Sequence, residues 1–251
     1  MSLAPNITEI LFALGVGERV VGVTKYCDYP EQVKKLPKVG GFMQPDSETL
    51  VGLGADLILG MASGPTQKLP ATLDALDQTY VFVQMDTIAQ THEGILTLGR
   101  LVEKEAEAKA MVADMRRQMV KIERGKEAPS TLFVLGHKPM VVASTGSFGA
   151  ELIELAGGKL AFTSSNPYPI VDMEHMLKLN PEIIVDTTMT SGTPLKAFWS
   201  KHKSLRAVAN DRVHTLHDPS LLRPGPRLVQ AYKRMKSLLS PEVVPAEEAM
   251  P

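Results

Sequence analysis

Cysteine is almost missing from this chain. Cys27 is the one cysteine in 251 residues, so no intramolecular disulfide can form and the redox compartment stays open. Aromatic residues are scarce too, at 5% of the sequence, so the few that fall in loops are informative. A formal net charge of −1 offers no basic field to nucleic acid or to an anionic membrane surface. No apolar run approaches the roughly 20 residues of a membrane span. No signal peptide is read at the start, where Pro5 and Asn6 interrupt the chain without a basic stretch before them; a mature or truncated exported protein and a cytosolic one look alike here. Catalytic signatures are missing as well. There is no P-loop; Gly15-Val16-Gly17 follows a helix and lacks the third glycine of a dinucleotide loop; residues 145–149 miss the first glycine of a nucleophile elbow. Of six histidines only His214 and His217 stand close, and in a strand that spacing points them to opposite faces. Neither a catalytic residue nor a metal site is expected.

What is present is ordinary globular material, 44% hydrophobic and 22% charged. Residues 103–124, EKEAEAKAMVADMRRQMVKIER, hold no Gly or Pro and space their apolar positions mostly by three and four. Gly125 and Pro129 close the stretch. At ~1.5 Å per residue it predicts a rod of roughly 33 Å.

Similar sequence flanks that rod. PDSETLVGLGADLIL from position 45 matches VDMEHMLKLNPEIIV from position 171, a constant offset of 126. The offset pairs Asp46 with Asp172, Glu48 with Glu174, Leu53 with Leu179, and the apolar run 57–59 with 183–185. An aromatic precedes each glutamate by six residues, Phe42 and Tyr168. Repeats of this size mark duplicated supersecondary units. Strands alternating with helices imply mostly parallel sheets. The expected architecture is therefore α/β, with two similar lobes (1–102 and 126–251, the tail loose from about 240) joined by one backbone helix at 103–125 and a ligand cleft between them.

In open parallel sheets, ligands bind at the carboxyl ends of strands. The bulky and polar loop residues there are Tyr26, Cys27, Phe42, Met43, Met61, Ser63, His137, Phe148, Tyr168 and Arg223. Together they suit a large flat ligand. Cys27 is expected to be a small packing residue rather than a metal ligand. Glu48 and Glu174 fall in the first turns of their helices, where the dipole favours a carboxylate, yet their equivalence also suits docking to a two-fold basic partner.

These residues resemble a known family. The opening SLAPNITEILFALGVGERVVGVTKYCDYP, both Asp-x-Glu helix segments and LLRPGPRLV near the end are similar to the helical-backbone substrate-binding proteins of ABC importers, most of all their cobalamin-binding group. The resemblance covers residues 2–239. It implies that Phe42 and Tyr168 match the aromatics flanking a corrin, that Tyr26 matches a further cleft aromatic, and that Glu48 and Glu174 match the glutamates engaging arginines of the permease dimer. It implies a monomer, periplasmic or membrane-anchored outside the cytoplasm, with no cofactor, whose ligand is cobalamin or a related corrinoid. The chain departs from the group in keeping little of the strand before SLAPN. It also has Phe42, Met61 and Tyr168 where tryptophan is used, which leaves haem or a ferric siderophore as the alternative ligand.

Overall fold

The structure, a computed structural model, describes residues 1–41, 44–62, 69–188 and 195–240. The chain divides into two compact units, Met1–Arg117 with Arg223–Arg227, and Gln118–Leu222 with Leu228–Pro251. The division thus falls at Arg117, and a short C-terminal segment that the sequence assigns to the second lobe belongs to the first unit.

Unit one opens with helix α1 (Pro5–Ala13). Proline suits its first turn, where no intrahelical acceptor is needed. Ala4 is its N-cap, while Asn6 donates to the Pro224 carbonyl at 3.0 Å and Thr8 donates to the Ala4 carbonyl. Gly15, at φ +78, ends the segment in the left-handed region that glycine enters without strain. Helix α2 (Ser47–Gly52) leads into strand β1 (Ile58–Met61); α3 (Leu69–Ala75) precedes β2 (Tyr80–Val83), parallel to β1 with Ile58 opposite Tyr80. Single parallel bridges extend this sheet from Leu59 through Ser2 and Val23 to Lys38. Leu3, Leu50, Ile58 and Leu73 are fully buried in unit one, with Tyr80 and Phe82 packed against them. Helix α4 (Ile88–Leu101), with a capping box at Thr87 and Gln90, and α5 (Glu105–Gln118) complete the unit as far as Arg117.

Helix α5 is shorter than the sequence predicts. Beyond Gln118 the backbone makes tertiary hydrogen bonds instead of helical ones: the Val120 carbonyl accepts from the Tyr232 hydroxyl, and the Ile122 amide donates to the Leu155 carbonyl at 2.9 Å. In unit two, β3 (Ser130–His137) turns into β4 (Met140–Val142), an antiparallel return not anticipated from the sequence. Helix α6 (Phe148–Leu155) follows a Ser147 cap, and β5 (Lys159–Leu160) lies parallel to the start of β3. Then come α7 (Met173–Leu179), β6 (Ile183–Asp186), α8 (Leu195–Trp199), α9 (Arg206–Ala209), β7 (Val213–Thr215) and α10 (Leu228–Leu238). The main path of the sheet runs β4-β3-β6-β7, with only β4 antiparallel. Its core includes Leu132, Val134, Met176, Ile184, Trp199 and Leu205.

The repeat has a structural counterpart. Asp46 caps α2 by accepting from the Thr49 amide, and Asp172 caps α7 by accepting from the His175 amide, both at 2.7 Å. Leu50 and Met176, 126 positions apart, are each fully buried, and Gly54 and Asn180, also equivalent, each follow their helix at positive φ.

Candidate functional site

In unit one the loop after Val23 is built around two half-buried guanidinium groups. Glu9, 3% exposed on α1, accepts from Arg227 Nε at 2.8 Å and Nη2 at 2.6 Å, and from Arg223 Nη1 at 3.2 Å. Arg223 also donates to Asp28 at 2.6 Å and to the Tyr26 carbonyl at 3.3 Å. Partial burial would raise the Asp28 carboxyl, but the hydrogen bond and charge of Arg223 outweigh it and hold the group below its ordinary value. Lys38 ties down the same loop through the Cys27 and Val33 carbonyls. The outcome is a rigid loop that shows two aromatic rings to solvent, Tyr26 at 46% and Tyr29 at 47%, the latter with the Arg227 guanidinium 4.4 Å from its ring centre.

Three more of the predicted site residues belong to unit one. Arg223 is committed to Glu9, Asp28 and Tyr26, so it positions the loop rather than offering a vacant charge. Cys27 is 2% exposed, and its sulfur lies 3.2 Å from the Thr8 hydroxyl and 3.1 Å from that of Thr24, which keeps it a packing residue. Met61 ends β1 half-buried. Phe42, Met43 and Ser63 lie outside the described residues.

In unit two, His137 and Phe148 turn inward while Tyr168 faces out. His137 Nε2 lies 2.8 Å from Asp186, and its ring stacks on Phe198 with centres 4.0 Å apart. Asp186 is fully buried and also accepts from the Trp199 indole at 2.7 Å and the Thr188 amide at 3.0 Å, so its lone pairs are well used. Phe148, 7% exposed, is core. These burials run against direct ligand contact by either residue. Tyr168 is held differently. Its amide donates to Asn166, and the loop is strapped to the chain at β4 by Ser144 donating to the Pro167 carbonyl and Val142 to that of Pro169. Ile170, bridged to Val141, stands beside it 67% exposed. Tyr29 and Ile170 are not among the sequence-predicted site residues: Tyr29 was legible as a loop aromatic before Pro30, whereas nothing in the local sequence marks Ile170 as exposed.

Glu48 and Glu174 are both exposed on their helices' first turns; Glu174 pairs with Lys178 at 2.7 Å, an exposed contact of little net worth. Among the described residues no group of three or more His, Cys, Asp or Glu could hold a metal ion. No described helix is long and apolar enough to cross a membrane. Exposed aromatic and aliphatic surface on rigid loops can stack on a flat ligand.

Comparison with known proteins gives a consistent set of relatives. The periplasmic binding protein family matches residues 1–219. The vitamin B12-binding protein of Vibrio cholerae serotype O1 is 29% identical over 245 residues, covering 95% of this chain and 88% of that protein. The crystal structure of a periplasmic vitamin B12 binding protein of Vibrio cholerae superposes with a TM-score of 0.77 at 28% identity, over 95% of this chain and 94% of that one. A possible iron-binding, periplasmic solute-binding protein from Staphylococcus epidermidis gives 0.80 at 27%, over 95% and 96%. A periplasmic heme binding protein from Pseudomonas aeruginosa reaches 0.84 over 98% and 94%, but at 23% identity it speaks for the α/β fold alone. With a family match running over 219 of its 251 residues, the chain belongs to the periplasmic binding protein family.

Proposed function

We propose that this protein works outside the cytoplasm as a substrate-binding protein, not an enzyme, capturing a corrinoid and handing it to the permease dimer of an ABC importer. The observation that carries the ligand class is the similarity to vitamin B12-binding proteins along 95% of the chain. The loops supply suitable chemistry in Tyr26 and Tyr168, exposed rings on braced backbones. Both tyrosines stack on the ligand. Glu48 and Glu174 meet arginines of the permease, one glutamate to each subunit.

Calorimetric titration of cyanocobalamin into the wild type and Tyr168→Ala tests this reading, with haemin as the competing ligand. One stacking contact is worth ~0.5–1.5 kcal/mol, so the variant should bind roughly 2- to 13-fold more weakly. A wild type that takes haemin and ignores cyanocobalamin would move the protein to the haem alternative. Equal affinity in wild type and variant would remove Tyr168 from the site.

A further inference from the structure

Unit one holds a cavity of ≈ 710 Å³ that none of the predicted site residues lines. Its walls come from β2, from α4 and from Arg116 on α5. That volume falls within the ~300–1,000 Å³ of small-molecule sites. Val81 and Val83, two positions apart on β2, present apolar side chains from one face of the strand. Ile88 and His92, one turn apart on α4, form part of the facing wall. The capping box of Thr87 and Gln90 holds the start of that helix, so the wall is formed in advance.

One atom of this lining is out of place in a packed interior. His92 is only 6% exposed, yet its Nε2 has no hydrogen-bond partner among the described residues. A buried polar atom left unpaired is costly, and the great majority find a partner. Because the imidazole lines the cavity, a ligand atom entering there can supply the missing bond. Charge decides which kind of atom. Arg116 is exposed and has no hydrogen bond or ion pair among the described residues. At His92 its charge acts more strongly than the opposing charge of Glu93, so the unpaired nitrogen stands in a net positive field. That field favours an anion and disfavours an amine. We propose that this cavity is a second ligand site, one that takes an apolar monocarboxylate. The hydrocarbon body packs against Val81, Val83 and Ile88. The neutral imidazole, in its Nε2–H tautomer, donates to one carboxylate oxygen, and Arg116 pairs with the charge. No residue is shared with the Tyr26 and Tyr168 loops, so the site does not rest on the transport reading.

Calorimetric titration of the full chain with sodium octanoate, octylammonium chloride and 1-octanol tests the site. Octanoate should bind saturably, one per chain, and the amine and the alcohol at least about tenfold more weakly. His92→Leu should weaken octanoate binding about tenfold while melting no lower than wild type, because it removes an unpaired buried atom. A histidine that served only the fold would give the reverse. Arg116→Gln should weaken binding about fivefold and flatten its salt dependence. Since Arg116 is exposed, this second variant keeps the test decisive if the buried substitution perturbs folding. In a long-range proton–nitrogen spectrum, octanoate should shift the ring nitrogens of His92. Saturating cyanocobalamin should leave octanoate binding unchanged. A wild type that takes up no octanoate saturably, affinity unchanged in both variants, or displacement of octanoate by cyanocobalamin would each overturn the proposal. A protein that ignores cyanocobalamin yet binds octanoate as described would lose the transport reading and keep this site.

Discussion

His214 on β7 is half-buried, and its Nε2 has no hydrogen-bond partner among the described residues. Burial first, then the nearby charges of Arg212 and Arg234, push its pKa down to about 4 against a pull from Asp211. An unfolded histidine titrates near 6.5, so between about pH 6.5 and 4 the unfolded chain binds a proton that the native protein refuses. Native stability therefore falls as pH drops through that window. Urea midpoints of wild type and His214→Gln, measured from pH 7.5 to 4.5, should diverge, the wild type losing more on acidification. His92, lowered in the same sense mainly by burial, leaves the variant a residual slope. Parallel profiles would show that His214 titrates normally. Burial is what single residues conceal in a sequence. Cys27 and Tyr26 are neighbours in the chain, yet one is 2% and the other 46% exposed.

Helices α4 and α5 meet at Gly99, where the Lys104 amide closes the turn on the Gly99 carbonyl at 2.7 Å and Glu103 sits at φ +61. A Cβ at Gly99 would stand 2.4 Å from that of Ala108 and 3.0 Å from the Lys104 carbonyl oxygen. Two effects oppose each other in Gly99→Ala. Alanine is favoured over glycine in a helix interior by ~1 kcal/mol, while overpacking costs typically ~1–3 kcal/mol. Because backbone and a short Cβ have no rotamer to yield, overpacking should win, and the melting temperature should drop by a few degrees at roughly 2–4 °C per kcal/mol. A variant that melts higher than wild type would show that the helices can part. Elements with both a cap and a period were legible beforehand: α6 after Ser147, α7 after Asp172, and the apolar strand β6. Those set by partners distant in sequence were not. Residues 119–124 carry a sound helical pattern, but their backbone is claimed by α10 and α6, and β4 exists only because β3 offers it an edge.

At the scale of the whole molecule, the 126-residue repeat announced two related units, because a duplicated helix and strand keep their buried anchor, cap and left-handed stop. What it did not announce is that unit one is made from two separate stretches of chain. Arg223–Arg227 closes on Met1–Arg117 through Glu9, an ion cluster that no local pattern encodes, since its members are more than two hundred positions apart. This has a consequence for the fragment 1–117. It keeps Glu9 in α1 but loses both arginines and the Pro224 carbonyl that receives Asn6. Stranding one member of a buried ion pair costs ~3–5 kcal/mol, a large share of the ~5–15 kcal/mol that holds a domain together. The fragment should unfold at markedly lower urea than the full chain. Glu9→Gln then acts with opposite signs in the two settings. In the full chain it removes the acceptor charge shared by two half-buried guanidinium groups, leaving Arg227 without its carboxylate partner while Arg223 keeps Asp28, so stability falls. In the fragment it removes a buried charge with no partner, so stability rises. Circular dichroism midpoints for the four proteins, wild type and Glu9→Gln in each length, read both signs directly. If the substitution destabilises both lengths alike, Glu9 is held in unit one by something other than Arg223 and Arg227.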